Sequence, residues 1–209
     1  MEKKYDSTQE EFWAGDFGSE YILRNSGQEL LSSNIHFFSK ILQATYPLPK
    51  DFLEVGANIG MNIDALARIT PNANFTGIEI NTQACNELRR KNCRVIESSI
   101  LNANIEVTYN FVFSKGVLIH LNPNQLVDVY KKLYDWSNQY ILIAEYYNPS
   151  PIAITYRGNS EKLFKRDFAG EMLDMFPDLI LRDYGFSYHR DRFPQDDITW
   201  FLLEKKGAL

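Results

Sequence analysis

Cysteine, histidine and positive charge are all scarce in this chain of 209 residues, which holds two Cys, three His and 22 Lys and Arg against 27 Asp and Glu. Cys85 and Cys93 alone can build neither a disulfide scaffold nor a four-cysteine zinc site. A net charge of −5 argues against a protein that grips phosphate backbones, so no nucleic-acid partner is expected. The opening MEKKYDSTQEEFW lacks the apolar core of a signal peptide, and no stretch reaches the length of a membrane span. A soluble, cytoplasmic protein is expected, with no membrane partner. Repeats, low-complexity tracts and Pro/Gly/Ser linkers are also missing, which points to one domain over 1–209. What is plentiful is core material: 44% hydrophobic residues, with Phe, Tyr and Trp making up 14% of the chain.

Hydrophobic spacing orders that material. Leu31, Ile35, Phe38 and Leu42 predict an amphipathic helix over 28–46, stopped by Pro47. DFLEV (51–55) reads as a strand, followed by GANIG and a helix carrying Ile59, Ile63, Leu66 and Ile69. NFTGIEI (74–80) is a second strand, and Asn81 can cap a helix over 82–91. CRVIE (93–97) and FVFSKGVLI (111–119) follow as strands, then a helix opened by Asn122-Pro123, then QYILIAEY (139–146). Strand and helix alternate up to residue 147, the pattern of a parallel sheet covered on both faces. Residues 148–176 read as an insertion ending in a helix, and 179–190 with 197–205 as a closing antiparallel pair.

Ligands of such a sheet sit beyond the carboxyl ends of the strands, near the reversal of strand order. The first such end is Glu54-Val55-Gly56-Ala57-Asn58-Ile59-Gly60, where glycines allow a tight turn and a helix N-terminus follows. Glu79 closes the second strand at a spacing suited to two ribose hydroxyls. The spacing is E-x-G-x-N-x-G, without the second glycine that admits a pyrophosphate in the dinucleotide fingerprint. It resembles the pattern of class I S-adenosylmethionine-dependent methyltransferases, with Asn58 in place of one common glycine. S-adenosyl-L-methionine is accordingly the expected cofactor. Glu54 can orient its ammonium end, and N–H groups from Gly56 to Gly60 can meet its methionine part. Ser98 and Ser99 follow the third strand, where such enzymes usually place an Asp on the adenine amine. Ser114 sits where the fourth strand can end beneath the cofactor.

Over nearly its full length the sequence also resembles the pseudaminic acid biosynthesis-associated methylase family. That resemblance rests on FWAGDFGSEYILRN (12–25), EVGANIGMN (54–62), GIEIN (77–81), SKGVLIHLNP (114–123), EYYNPSP (145–151), YRG (156–158), LFKRDFAGE (163–171), DYGFSYHRD (183–191) and QDDITWFLLEK (195–205). It implies a Rossmann-like α/β fold with a mostly parallel seven-stranded sheet, a C-terminal antiparallel pair and helices on both faces. It also implies methyl transfer associated with a nine-carbon acidic sugar pathway. The chain then divides into a helical cap (1–46), a cofactor-binding core (51–147), an insertion over the acceptor site (148–176) and closing strands (177–209).

A hydroxyl acceptor needs a base, whereas an amine needs only to be neutral when it attacks. His120 is the first candidate base and equally a candidate core histidine; Glu145 and Tyr147 are its rivals. Tyr156, Arg157, Lys165, Arg166 and Tyr188 are the candidate acceptor contacts, because an arginine fork matches a carboxylate. Lys165 and Arg166 can equally be a solvated face paired with Asp167 or Glu171. Asp196-Asp197 lacks further ligands at a suitable spacing, so no metal is expected. Trp13, Phe17 and Tyr21 can form a lid or a plain docked helix. The alternatives are a methyltransferase for another small acid, amine or peptide, and a non-catalytic S-adenosylmethionine-binding module. The oligomeric state is left open.

Overall fold

Seven strands form one sheet in the order β3-β2-β1-β4-β5-β9-β8. β1 (Asp51–Val55), β2 (Asn74–Glu79), β3 (Arg94–Glu97), β4 (Tyr109–Lys115) and β5 (Ser137–Glu145) are parallel; β9 (Ile198–Lys205) runs antiparallel to both of its neighbours, β5 and the closing strand β8 (Leu179–Ser187). The computed structural model describes residues 7–22, 25–156 and 159–207, apart from the side chains of 159–161.

Alternation along each strand builds a core on both faces of the sheet. Leu53, Val55, Val112 and Ile141 face α6 (Leu126–Trp136) and α7 (Phe168–Met175), meeting Val129, Leu133 and Met172. On the other face lie α3 (Gln28–Leu42) and α4 (Met61–Ile69), whose Phe38, Ile41, Ile63 and Leu66 meet Phe52, Phe111 and Phe113. Burying each such side chain contributes about 1.5–3 kcal/mol. The centre of that face is an aromatic ladder in register across four strands: Phe75, Phe52, Phe111 and Tyr140. Ring centroids are 5.4 Å apart for Phe75–Phe52 and Phe52–Phe111, and 6.4 Å for Phe111–Tyr140. Part of the aromatic surplus is therefore the central packing of the sheet.

Three expectations change. The fourth strand stops at Lys115, because Gly116 turns at φ 68° and residues 118–120 form a 3₁₀ turn. Ile59 lies in the turn before α4, since Asn58 and Gly60 both adopt positive φ. The insertion contains a hairpin, β6 (Ile152–Tyr156) and β7 (Asn159–Lys165), ahead of its helix. At the start of the chain, α1 (Thr8–Ala14) and α2 (Asp16–Ile22) pack across the carboxyl ends of the parallel strands, where α5 (Thr82–Leu88) also begins.

Candidate functional site

Strand order reverses between β1 and β4, and a cavity of about 190 Å³ opens beside that reversal. Its floor comes from the turn after β1, from Glu79–Asn81, from Ser98–Ile100 and from Lys115–Val117 with His120. Its roof is the N-terminal pair: Gln9, Glu10, Trp13, Gly18 and Tyr21 face inwards. Asn81 ties roof to floor. Its Oδ1 caps α5, while its Nδ2 donates to Ser19 Oγ at 3.2 Å and lies 3.4 Å from the carbonyls of Trp13, Ala14 and Gly15. On the far side, Lys162 Nζ donates to Thr8 O at 3.0 Å and Thr8 Oγ1 at 3.1 Å, joining α1 to the hairpin.

The glycine turn has a steric origin. Gly56 sits at φ 67°, and a Cβ there would fall 2.5 Å from Val117 Cγ2. Gly60 starts α4 at φ 77°, where a Cβ would lie 2.6 Å from Leu88 Cδ1. Asn58 at φ 48° needs the left-handed region as well, and asparagine is among the few side chains that tolerate it. The substitution of Asn for glycine thus leaves the turn intact.

Glu79 is the organising acid. Its Oε2 accepts from Asn58 N at 2.7 Å, and its Oε1 accepts from Ile80 N at 2.9 Å and Asn81 N at 2.7 Å. Burial raises its pKa against those three bonds. Glu54 is 1% exposed, with Oε1 accepting from Asn62 Nδ2 at 2.6 Å. Three oxygens at this turn are buried without a partner among the described residues: Glu54 Oε2, Asn58 Oδ1 and Asn62 Oδ1. The two amide oxygens can only accept, and the Glu54 carboxyl accepts as well once it is ionised, so the turn is short of donors for a carboxylate. Burial pushes Glu54 up to about 8, against the Asn62 bond and the nearby Lys115 charge. Lys115 lines the cavity, its own pKa lowered by burial. Surplus acceptors next to a cation suit a zwitterionic amino-acid terminus, ammonium towards the acceptors and carboxylate towards the lysine.

His120 stands where the roof, the floor and the hairpin meet. Its Nδ1 is 2.6 Å from the Lys162 carbonyl, which only accepts, so Nδ1 carries the proton. Nε2 keeps its lone pair and has no hydrogen-bond partner among the described residues. Burial lowers the pKa to about 4, outweighing the Lys162 bond, and the ring is neutral at pH 7. Trp13 and Tyr156 flank it at centroid distances of 4.6 and 5.0 Å.

Among the candidate residues, Gly56, Asn58, Glu79, Ser98, Ser99 and His120 line this cavity, with Glu54 and Gly60 just behind it. Others lie elsewhere. Ser114 is fully buried and donates to Glu145 Oε1 at 2.6 Å. Glu145 lies beneath the 3₁₀ turn, accepting backbone N–H groups of 117, 118 and 119. Tyr147 is 41% exposed with its ring 5.8 Å from Phe201, and Tyr188 packs on His189. Arg166 is neutralised by Glu171 at 2.6 Å. Lys165 has no ion-pair partner among the described residues, its ammonium 5.0 Å from the Tyr146 ring. Arg157 falls outside the described residues. Sequence reasoning missed Gln9, Glu10, Asn62 and Lys115. Ser7-x-x-Glu10 is a capping-box spacing, and both of its hydrogen bonds form, so the start of α1 was open to discovery. Among the described residues no group of three or more His, Cys, Asp or Glu could hold a metal ion. No helix among them is long and apolar enough to cross a membrane.

No known family's sequence model matches this chain, and no curated protein matches it. Solved structures do resemble it. Magnesium protoporphyrin IX methyltransferase from Synechocystis PCC 6803, with bound S-adenosylmethionine, superposes with TM-score 0.71 at 12% identity over 98% of this chain and all of the other. The fold is that of the class I methyltransferases. The plantazolicin methyltransferase BpumL with S-adenosylhomocysteine gives 0.67 at 14% identity, covering 94% of this chain and 93% of its own. The glycopeptide N-methyltransferase MtfA with S-adenosylmethionine gives 0.63 at 11%, covering 82% and 92%. This chain's part in that likeness is its seven-stranded, mostly parallel sheet with an antiparallel pair and helices around it.

Proposed function

We propose that this protein transfers a methyl group from S-adenosylmethionine to an oxygen or nitrogen of a small molecule. The observation that carries the proposal is one cavity lined by the buried Glu79 carboxylate, by Lys115 and by the Asn58 and Asn62 amides, whose oxygens have no partner among the described residues, with the Glu54 carboxyl just behind them. Glu54, Asn58 and Asn62 would receive the ammonium of the cofactor's amino-acid end, and Lys115 its carboxylate. Glu79 would take the ribose hydroxyls. When bound, the cofactor supplies a methyl on a sulfonium whose thioether departs neutral. The chain must therefore mainly align the reacting atoms and exclude water, which the roof of α1 and α2 does.

His120 would serve the acceptor. Its Nε2 can accept the N–H or O–H of the incoming nucleophile and so aim that atom's lone pair into the cavity. A ring with a pKa of about 4 is already unprotonated through the neutral range. The kcat profile is therefore expected to show no acid limb from His120 between about pH 5.5 and 8, and His120→Ala should lower kcat more than cofactor affinity. An acid limb near pH 6.5 that vanishes in His120→Ala would contradict the buried, neutral ring.

For the acceptor we propose a pseudaminic-acid-type nonulosonic sugar or its nucleotide-activated form. The sequence resemblance supports this reading. Tyr156, beside His120, adds an aromatic wall with a polar tip. Labelled methyl transfer to a panel of nonulosonic sugars, other small acids, amines and peptides tests it. One methylene added to the sugar, and not to the rest, is the expected result. Turnover of a peptide or amine alone would remove the sugar and keep the methyltransferase.

Glu54 provides a further check on the cofactor. With a pKa of about 8 it is mostly protonated at pH 7 in the free protein. An ammonium docked against it would ionise it, so binding should release up to about one proton at pH 7. The measurement is calorimetry with S-adenosylhomocysteine in buffers of different ionisation enthalpy. Release should disappear in Glu54→Gln; an unchanged release in that variant would move the proton to another group.

A further inference from the structure

The polar side chains that the loop after β3 presents to the cavity are those of Ser98 and Ser99, and the acid that ends β3 lies on the exposed side. Glu97 accepts from Thr82 Oγ1 at 2.7 Å and pairs with Arg89 at 2.5 Å on the exposed side. Ser98 Oγ donates to Ser99 O at 3.0 Å. Ser99 Oγ accepts from Leu101 N at 3.0 Å and donates its own proton to Glu10 Oε1. Glu10 thus reaches from α1 across 89 positions of sequence to the β3 loop, and it is 4% exposed. Its Oε2 accepts from Ser7 N at 3.2 Å, completing the capping box that fixes the side chain's direction.

This corner has the composition a purine needs. Ile80, Ile100 and Leu121 supply apolar wall alongside Glu79. At its polar edge, Glu10 is the carboxylate that the cavity lining offers besides Glu79. An exocyclic amine donates two N–H groups and requires acceptors; an ionised carboxylate accepts more strongly than a serine oxygen already engaged twice.

We infer that Glu10, delivered by the N-terminal helix, is the acceptor that recognises the exocyclic amine of the cofactor's adenine. This rests on the S-adenosylmethionine reading above. The roof then does more than exclude water, because adenine selectivity exists only while α1 is docked. Asn81 and Lys162, which hold α1 from the two sides, become positioning residues for cofactor recognition.

The test compares S-adenosylhomocysteine with its deaminated analogue, S-inosylhomocysteine, in which a carbonyl oxygen replaces the amine. Affinities for both are measured by calorimetry in the wild type, Glu10→Gln and Glu10→Ala. Wild type should prefer the adenosyl compound by about tenfold or more, since the analogue sets a carbonyl against a carboxylate. Glu10→Gln keeps the capping box, because glutamine serves that position too, and its amide can donate to the carbonyl. It should therefore bind the inosyl compound more tightly than wild type does, a gain that misfolding cannot mimic. Glu10→Ala should bring the two affinities within about threefold of each other. A wild type that binds S-adenosylhomocysteine, with its preference unchanged in Glu10→Gln, overturns the assignment of Glu10 alone. A wild type that binds neither compound overturns the cofactor reading itself.

Discussion

Glu145→Ala is expected to destabilise the protein by about 3–5 kcal/mol and to lower methyl transfer only as a consequence. The side chain is 2% exposed and gathers four donors: Ser114 Oγ at 2.6 Å, the N–H groups of Val117 and Leu118 at 3.1 Å, and that of Ile119 at 3.4 Å. Alanine would strand these groups in the interior and free the turn that carries His120. Burial raises the pKa of Glu145 to about 7 despite those bonds. For an acid raised in the folded state, the stability it contributes is full below the unfolded value near 4.5 and is lost as pH climbs through about 7. Urea denaturation from pH 4.5 to 8 should therefore show that decline in wild type, and Glu145→Gln should flatten it. A variant of normal stability that has lost only turnover would make Glu145 a base instead.

Glu79→Ala is expected to weaken S-adenosylmethionine binding by about a hundredfold or more, as two charge-assisted hydrogen bonds of about 1.5–3 kcal/mol each are removed. From sequence alone such a variant keeps its fold unharmed. The structure adds a cost, because the same carboxylate accepts from the backbone of Asn58, Ile80 and Asn81. Stability should fall too, by about 1–3 kcal/mol. Glu79→Gln separates the effects, since one amide oxygen can keep part of the backbone set while the charge is gone. Cofactor affinity equal to wild type in both variants would refute the ribose role.

The central sheet was legible because strands buried on both faces have no alternative to near-continuous apolar runs: DFLEV, NFTGIE and QYILIAE each announce themselves. The glycine turn and Glu79 were legible for a local reason, since a positive φ at Gly56 and Gly60 and an acid at a strand end leave marks within a few residues. The hairpin at 152–165 left no such mark. Ile152 is 49% exposed while Leu163 is buried in the core, so burial is split between the two strands and neither period dominates. The partners of Glu145 and Glu10 were equally hidden. An acid at the end of β5 looks the same whether it faces a substrate or three backbone N–H groups of another loop. Glu10 meets Ser99 only because the roof folds back over the sheet, a contact that spacing along the chain cannot show.

Calorimetric titration of the protein with S-adenosylhomocysteine and, separately, with NAD tests the central claim most directly. Saturable binding of S-adenosylhomocysteine, lost in Glu79→Ala, with no binding of NAD, is the predicted result. Binding of NAD with no response to S-adenosylhomocysteine or S-adenosylmethionine would contradict it.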